Sequence, residues 1–430
     1  MAAADGCAAL RCPPPGVPGR TGTPLAPAAL ARPAPTVIAP IPVSASLPSA
    51  LPDRLRAPDL PARARWRHAL ACAALASLAW LSAAASAAAQ VQGAAQDSAW
   101  ATQLHDLAGS FAADQDISAE WAWKVLSQAR HNGRVKRLMT PSAQNAPTVR
   151  DWQAYRERLL TAARIEAGVA FWRRHQRQLQ EIEARSGVPA SVIVGIIGIE
   201  TTYGQNMGSI RVLDALATLA FDYPSSHPRA FERSQFFRKE LEQFLRLCHS
   251  NDLDPLTLQG SFAGAMGVPQ FMPSSWLLYG RDGNEDGVVD LIGSPQDAIA
   301  SVANYLLAHG WRARQPTYLG VALQARPEQL QTLLAPDILP TFDQATLQQL
   351  GALPQPAGTQ YDGLMALVEL KNGARAPEYI LGTENFYAVT RYNQSSYYAL
   401  AVLQLGEAVQ QRLQQLQPQR PPAPEATPAS

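Results

Sequence analysis

Apolar residues recur at three- and four-residue intervals over Ala119–His131 and Asp151–Glu183, with Lys, Arg, Gln and Glu between them. This spacing predicts helices that pack through one face. The same period continues through Gly208–Leu219, Glu232–His249 and Asp297–Leu307, and it returns at Ser395–Leu416. One stretch breaks it. From Val192 to Ile199 every residue is apolar or glycine, and a single carboxylate, Glu200, follows. A segment with no polar stripe is buried all round. Pro189 and Ser191 suit the start of a helix there, and Gly204 suits the residue after its end. The pattern therefore predicts a core helix that carries one glutamate to the edge of its own apolar surroundings. Burial raises a carboxyl pKa, and a carboxyl still protonated near neutrality is a general acid. The competing reading is a solvated glutamate at a helix end.

Between Tyr318 and Ala388 the texture changes. Prolines and glycines become frequent, and the short run Gly363–Leu370 ends in the turn-like Lys371, Asn372 and Gly373, which predicts a small β-containing insertion. Residues 1–61 are rich in Pro, Ala, Gly and Arg without apolar periodicity and are predicted to be disordered, unless the true translation start lies further on. A basic cluster (Arg63, Arg65, Arg67, His68), an apolar run from Ala69 to Leu81 and an Ala87–Ala89 exit then describe a secretory signal over 62–89, cleaved after Ala89. An uncleaved anchor is the alternative, since Ala69–Ala89 is just long enough to span a bilayer. Cys72 lies too close to the basic cluster to be a lipidation site.

Charge adds an exclusion. Lys plus Arg number 36 and Asp plus Glu 35, so the net charge is +1 and nothing points to nucleic acid as a partner. The histidines and cysteines show no metal-ligand spacing, and Cys248 is the one cysteine after Ala89. The exported chain is expected to be free of intramolecular disulfides.

Three further stretches carry candidate chemistry. Gly260, Gly264 and Gly267 fall within eight positions, so backbone there can approach a ligand closely, while Ser261 and Gln270 offer hydrogen bonds beside Phe271. Close packing of helices explains the same glycines. Asp282, Asn284, Asp286 and Asp290 occupy positions 1, 3, 5 and 9 of an EF-hand-type loop, with Gly287 at 6 and the Val288 carbonyl at 7. Position 12 is Gly293, not glutamate, and Asp297 is the carboxylate able to stand in. A plain Asp/Asn/Gly turn is the other reading. Finally Tyr387, Tyr392, Tyr397 and Tyr398, with Arg391 and Asn393, make an aromatic-polar surface of the kind carbohydrates stack on, although anchoring of the last helix accounts for two of the four tyrosines.

Together these blocks resemble the bacterial lytic transglycosylases of the membrane-bound lytic transglycosylase B type. The resemblance rests on Val194–Gly204, Leu213–Pro224, Gly260–Gly267, Gln270–Ser275, Asp297–Tyr305 with His309–Trp311, and Thr390–Ser395, and covers about residues 100–408. It implies an α+β, mainly helical fold: an N-terminal helical region (90–185), a lysozyme-like catalytic core (186–317 with 389–410, calcium-type loop 282–297), the small β-containing insertion (318–388) and a flexible tail (411–430). It implies cleavage of the MurNAc–GlcNAc β-1,4 bond of peptidoglycan, leaving 1,6-anhydro-MurNAc ends, with Glu200 as acid and base. It places Tyr155, Ser261, Gln270, Tyr305, Tyr392, Asn393 and Tyr398 along the saccharide cleft, and Asp282, Asn284, Asp286, Val288 and Asp297 around a structural calcium, with no cofactor required. Partners are then glycan strands, with room for proteins of cell-wall synthesis or remodelling. The expected form is a periplasmic monomer. Ser225 and Ser226 stand where some members carry arginines. Two other readings remain: a hydrolytic muramidase with Asp222 or Asp290 as second carboxylate, and an inactive wall-binding protein.

Overall fold

A computed structural model describes residues 98–114, 116–140, 150–356 and 359–416. The predicted disordered start, the signal segment and the end of the tail lie outside the described residues. A helix over 98–109 (α1) leads to α2 (Ala119–Leu126) and α3 (Gly133–Met139). The long periodic segment expected over Asp151–Glu183 is three helices: α4 (Trp152–Leu159), α5 (Ala162–Arg174) and α6 (Gln176–Ser186). The breaks are chemical. Thr161 accepts a hydrogen bond from Arg164 N and starts α5 as its N-cap, and His175, at φ −112°, closes it. Asp151 caps α4 in the same way through Ala154 N.

Helix α7 (Ala190–Thr201) is the predicted core helix, and ten of its residues are buried. No single described helix is long and apolar enough to cross a membrane. After it come β1 (Ile210–Arg211), α8 (Val212–Phe221), α9 (Ala230–Ser250), β2 (Gln259–Gly260), α10 (Pro273–Tyr279) and α11 (Pro295–Ala308). The pairing of β1 with β2 sets Ile210 opposite Gly260 and draws the chain after α7 against the glycine-rich loop. The insertion holds β3 (Tyr318–Leu323), α12 (Pro327–Leu334), α13 (Gln344–Gln349), β4 (Ala352–Gln355), β5 (Met365–Asn372) and β6 (Arg375–Thr383). Its antiparallel sheet runs β4-β3-β6-β5. Then α14 (Glu384–Thr390) and α15 (Ser396–Gln415) end the described chain.

The strand β5 shows why the insertion is not an appendage. Met365 and Leu367 point into a small core with Leu333, Leu347 and Leu381. Ala366, Val368 and Leu370 join the main core around α7, α11 and α15. A period of two with both sets apolar is a strand buried on both faces. Asn372, at its end, is buried and accepts from Gln153 N, so the hairpin also braces the start of α4.

The main core is organised on the contact between α7 and α15. A Cβ on Gly195 would stand 2.2 Å from Val402 O, and one on Gly406 would stand 2.0 Å from Ser191 O. Only glycine lets the two backbones come this close. A second core gathers α1, α2, α8 and α9, with Phe237, Leu241 and Phe244 fully buried. Tyr392 packs against both.

Candidate active site

Glu200 is the penultimate residue of α7. The helix ends two residues before the stop that Gly204 suggests. Thr202 (φ 51°) and Tyr203 (φ 60°) already turn left-handed, with Thr202 N donating to Gly198 O and Ile197 O. A β-branched residue in that region costs about 1–3 kcal/mol, so the surrounding structure must enforce it. Thr201 does part of this: its hydroxyl donates to Val268 O at 2.9 Å and accepts from Gly204 N at 2.9 Å. The end of α7 is thereby tied to the glycine-rich loop.

Glu200 keeps partial exposure, yet burial of its surroundings pushes its carboxyl up to about 7, opposed by a hydrogen bond from Tyr398. The Tyr398 hydroxyl donates to Glu200 Oε1 at 2.5 Å. It comes from the first turn of α15, and the α7–α15 contact sets that distance. Burial and the nearby Glu200 hold the phenols of Tyr398 and Tyr392 well above 10, so both stay neutral donors.

From Tyr398 an aromatic row extends away from the carboxyl. Tyr392 lies 6.5 Å away and nearly parallel (17°), and Tyr305 lies 4.7 Å beyond it. Phe271 sits 5.6 Å from Tyr305 and 5.8 Å from Tyr392. The polar ends are fixed by backbone: Tyr392 donates to Pro269 O at 2.9 Å, and Tyr305 donates to Arg391 O at 2.7 Å. His309, stacked on Tyr305 at 4.0 Å, supports it from the side. Tyr155 packs edge-on to Tyr397 at 6.0 Å, and its phenol is close enough to bear on that of Tyr398.

The amides and hydroxyl are more constrained than the sequence suggests. Gln270 is left-handed (φ 51°), and its side-chain amide nitrogen donates to Met207 O and Gly267 O, each at 3.0 Å. What it can offer a sugar hydroxyl is its carbonyl oxygen. Ser261 accepts from Ala263 N (3.3 Å) and Ala265 N (3.1 Å), so it shapes the turn and keeps only its proton to donate. Asn393 Oδ1 is buried and without a hydrogen-bond partner among the described residues. An unmet buried acceptor costs about 1–3 kcal/mol, which a ligand N–H or O–H recovers.

The two carboxylates considered as partners of Glu200 are engaged elsewhere. Asp222 binds Lys136 Nζ (2.7 and 2.8 Å) and His131 (2.7 Å). Asp290 Oδ1 accepts from Ile292 N and Gly293 N. Glu200 lines neither of two cavities: one, of about 330 Å³, lies between Trp121, His249 and Asp254, and one, of about 430 Å³, between Arg174, Gln178 and Asn284.

The loop 282–297 folds on its own oxygens. Asp282 accepts from the amides of Glu285, Asp286 and Gly287, and Asn284 donates to Asp286 at 2.8 Å. An all-oxygen donor set suits calcium. The carboxyl of Asp297 is fully buried. Its oxygens accept from Gly283 N (2.9 Å) and Asp290 N (2.7 Å), and no cluster of three His, Cys, Asp or Glu side chains with metal-holding geometry occurs among the described residues. As it stands, Asp297 closes the loop as a hydrogen-bond acceptor.

A raised carboxyl beside neutral phenols, amide oxygens and aromatic faces is equipped for acid-catalysed cleavage of a glycosidic bond. Comparison with known proteins makes this specific. Residues 99–407 match the transglycosylase SLT domain, and the chain belongs to that family. It is 40% identical over 301 residues to membrane-bound lytic murein transglycosylase B of Escherichia coli K12, covering 66% of this chain and 76% of that protein. Among solved structures, the soluble lytic transglycosylase SltB1 of Pseudomonas aeruginosa is 36% identical with a TM-score of 0.64, over 72% of this chain and 99% of that one. The E. coli lytic transglycosylase Slt35, in complex with calcium, is 38% identical with a TM-score of 0.61, over 73% and 93%. The protein is a lytic murein transglycosylase, an enzyme acting on peptidoglycan, with the lysozyme-like, mainly helical fold expected from its sequence.

Proposed function

We propose that Glu200 alone serves as acid and then base, on glycan strands of the cell envelope. The observation that carries this is the carboxyl held near 7 at 2.5 Å from the Tyr398 hydroxyl. Protonated Glu200 gives its proton to the oxygen of the MurNAc–GlcNAc bond, the C1–O bond breaks, and GlcNAc leaves as an alcohol. The carboxylate then takes the proton of the MurNAc C6 hydroxyl while that oxygen attacks C1, which closes the 1,6-anhydro ring and restores the acid. No water enters and no second carboxylate is needed. Tyr398, Tyr392 and the Gln270 and Asn393 amides supply dipoles around the positive ring. Tyr305, Tyr155 and Ser261 complete the wall along which the strand lies.

A structural calcium fits the same reading. Asp282, Asn284, Asp286 and the Val288 carbonyl would hold it, with Asp297 joining once it gives up an amide bond; the ion would rigidify the loop that leads into α11 and Tyr305. The test of the central step is mass spectrometry of muropeptides released from sacculi. The wild type is expected to yield ends lighter by one water than hydrolysed ends, and Glu200→Gln to yield none. Release by that variant, or hydrolysed ends from the wild type, overturns the single-carboxyl mechanism.

A further inference from the structure

The interior holds one more carboxylate that the chemistry leaves idle. Glu240 lies on α9 at 5% exposure, beside the fully buried Phe237, Leu241 and Phe244. Burial pushes its carboxyl up. Both oxygens go to one residue: Oε2 accepts from Ser274 N at 3.0 Å and Oε1 accepts from Ser274 Oγ at 2.7 Å. Ser274 is the second residue of α10, whose own N-cap, Met272, offers no side-chain acceptor and whose first residue, Pro273, has no N–H. Glu240 therefore caps α10 from another helix, where a carboxylate also meets the positive end of the helix dipole.

The position of that cap matters because of what precedes it. Met272 and Pro273 follow directly on Gln270 and Phe271. This loop is fixed at its near end by Thr201 on Val268 O, and in its middle by Met266 and Phe271, which exchange backbone hydrogen bonds at 2.8 and 3.0 Å. At its far end Ser274 is pinned by Glu240. Gln270 and Phe271 thus hang between the residue next to the catalytic acid and a buried carboxylate on α9.

We propose that Glu240 is a positioning residue: through Ser274 it holds the loop that presents Gln270 to the glycan, with the buried Phe271 anchoring that loop in the core. This rests on the reading of Gln270 as a cleft residue. Steady-state kinetics on a soluble GlcNAc–MurNAc tetrasaccharide test it, each variant assayed below its melting temperature. Glu240→Ala is expected to raise KM and lower kcat together, with kcat/KM falling about tenfold, since a displaced loop weakens both the hold of Gln270 on the strand and the dipole it turns on the reacting ring. Glu240→Gln, which keeps an acceptor for the Ser274 amide and a donor for its hydroxyl, is expected to stay within about threefold of wild type on both constants. Ser274→Ala, the milder perturbation should Glu240→Ala fold poorly, is expected to raise KM less, and to add little in the Glu240→Ala background if the two act through one contact. The position of the alkaline limb in kcat against pH should not move. An unchanged KM in both Glu240→Ala and Ser274→Ala, or equal impairment by Gln and Ala, overturns the proposal. Gln270→Ala separates the premises: if it leaves KM unchanged the cleft reading fails, whereas a raised KM there with normal Glu240→Ala kinetics sinks only the positioning role.

Discussion

Replacing Glu200 by glutamine should stabilise the protein, and only on the alkaline side. The carboxyl stands near 7 in the fold against an ordinary value of 4.5. Between those values the folded protein keeps a proton that the unfolded chain has released, so wild-type stability falls as pH rises through that window and levels off above it. The gap corresponds to about 3 kcal/mol, at 1.36 kcal/mol per pH unit. Glutamine has the same shape, can accept the same Tyr398 hydrogen bond and has no proton to lose. Urea denaturation of both proteins at pH 4.5, 6, 7 and 8 reads the difference. Near pH 4.5 the midpoints should nearly coincide; at pH 8 the variant's should lie higher by about 1 M, taking an m-value of roughly 3 kcal/mol/M. A difference that stays flat across the series would refute the claim that burial of this carboxyl, and not some other feature of the site, sets its acidity.

Three other outcomes follow from the same coordinates. Tyr398→Phe removes the hydrogen bond that favours the ionised carboxyl, so Glu200 should titrate higher; the alkaline limb of kcat against pH is expected to move up even as kcat falls, and a limb that moves down contradicts the assignment. Gly195→Ala sets a methyl 2.2 Å from the Val402 carbonyl, which cannot yield without parting α7 from α15; a loss of about 3 kcal/mol or more by urea titration is expected, together with loss of activity. Calcium should raise the melting temperature of the wild type and leave that of Asp282→Asn nearly unmoved, and an equal rise in both places the ion elsewhere.

Much of α7 is legible in the sequence because its signal is local: an unbroken apolar run has one physical meaning, and a carboxylate at its end stands out. Its terminus is not, since Thr202 and Tyr203 adopt left-handed backbone against their own preference, under contacts made by Val268 far along the chain. The insertion is legible from its turns, but β5 reads as a single apolar run, and only the fold shows that alternate residues serve two cores. Ser261, Gln270 and Asn393 stand out in the sequence as polar groups, but which of their atoms the protein itself consumes is set by backbone remote in the chain or by turn geometry. Glu240 gave no sign at all. In Arg238-Lys239-Glu240-Leu241-Glu242 it looks like one more solvated helix charge, and its burial depends on α10 packing over it. Likewise His309 reads as an isolated histidine until Tyr305 stacks on it.

The glycine seam between α7 and α15 has a temporal consequence. Glu200 and the tyrosine that steadies it are separated by nearly two hundred residues of chain, so the ribosome delivers the acid long before its partner. Until α15 is threaded and docked, Glu200 lacks both the wall that raises its proton affinity and the hydroxyl that orients it, and it ionises like any exposed glutamate. On the proposed mechanism, the site stays incomplete while the chain is nascent. Fragments that end short of α15 lack the Tyr398 hydroxyl as well. On that mechanism, competence arrives all at once, when α15 docks on α7.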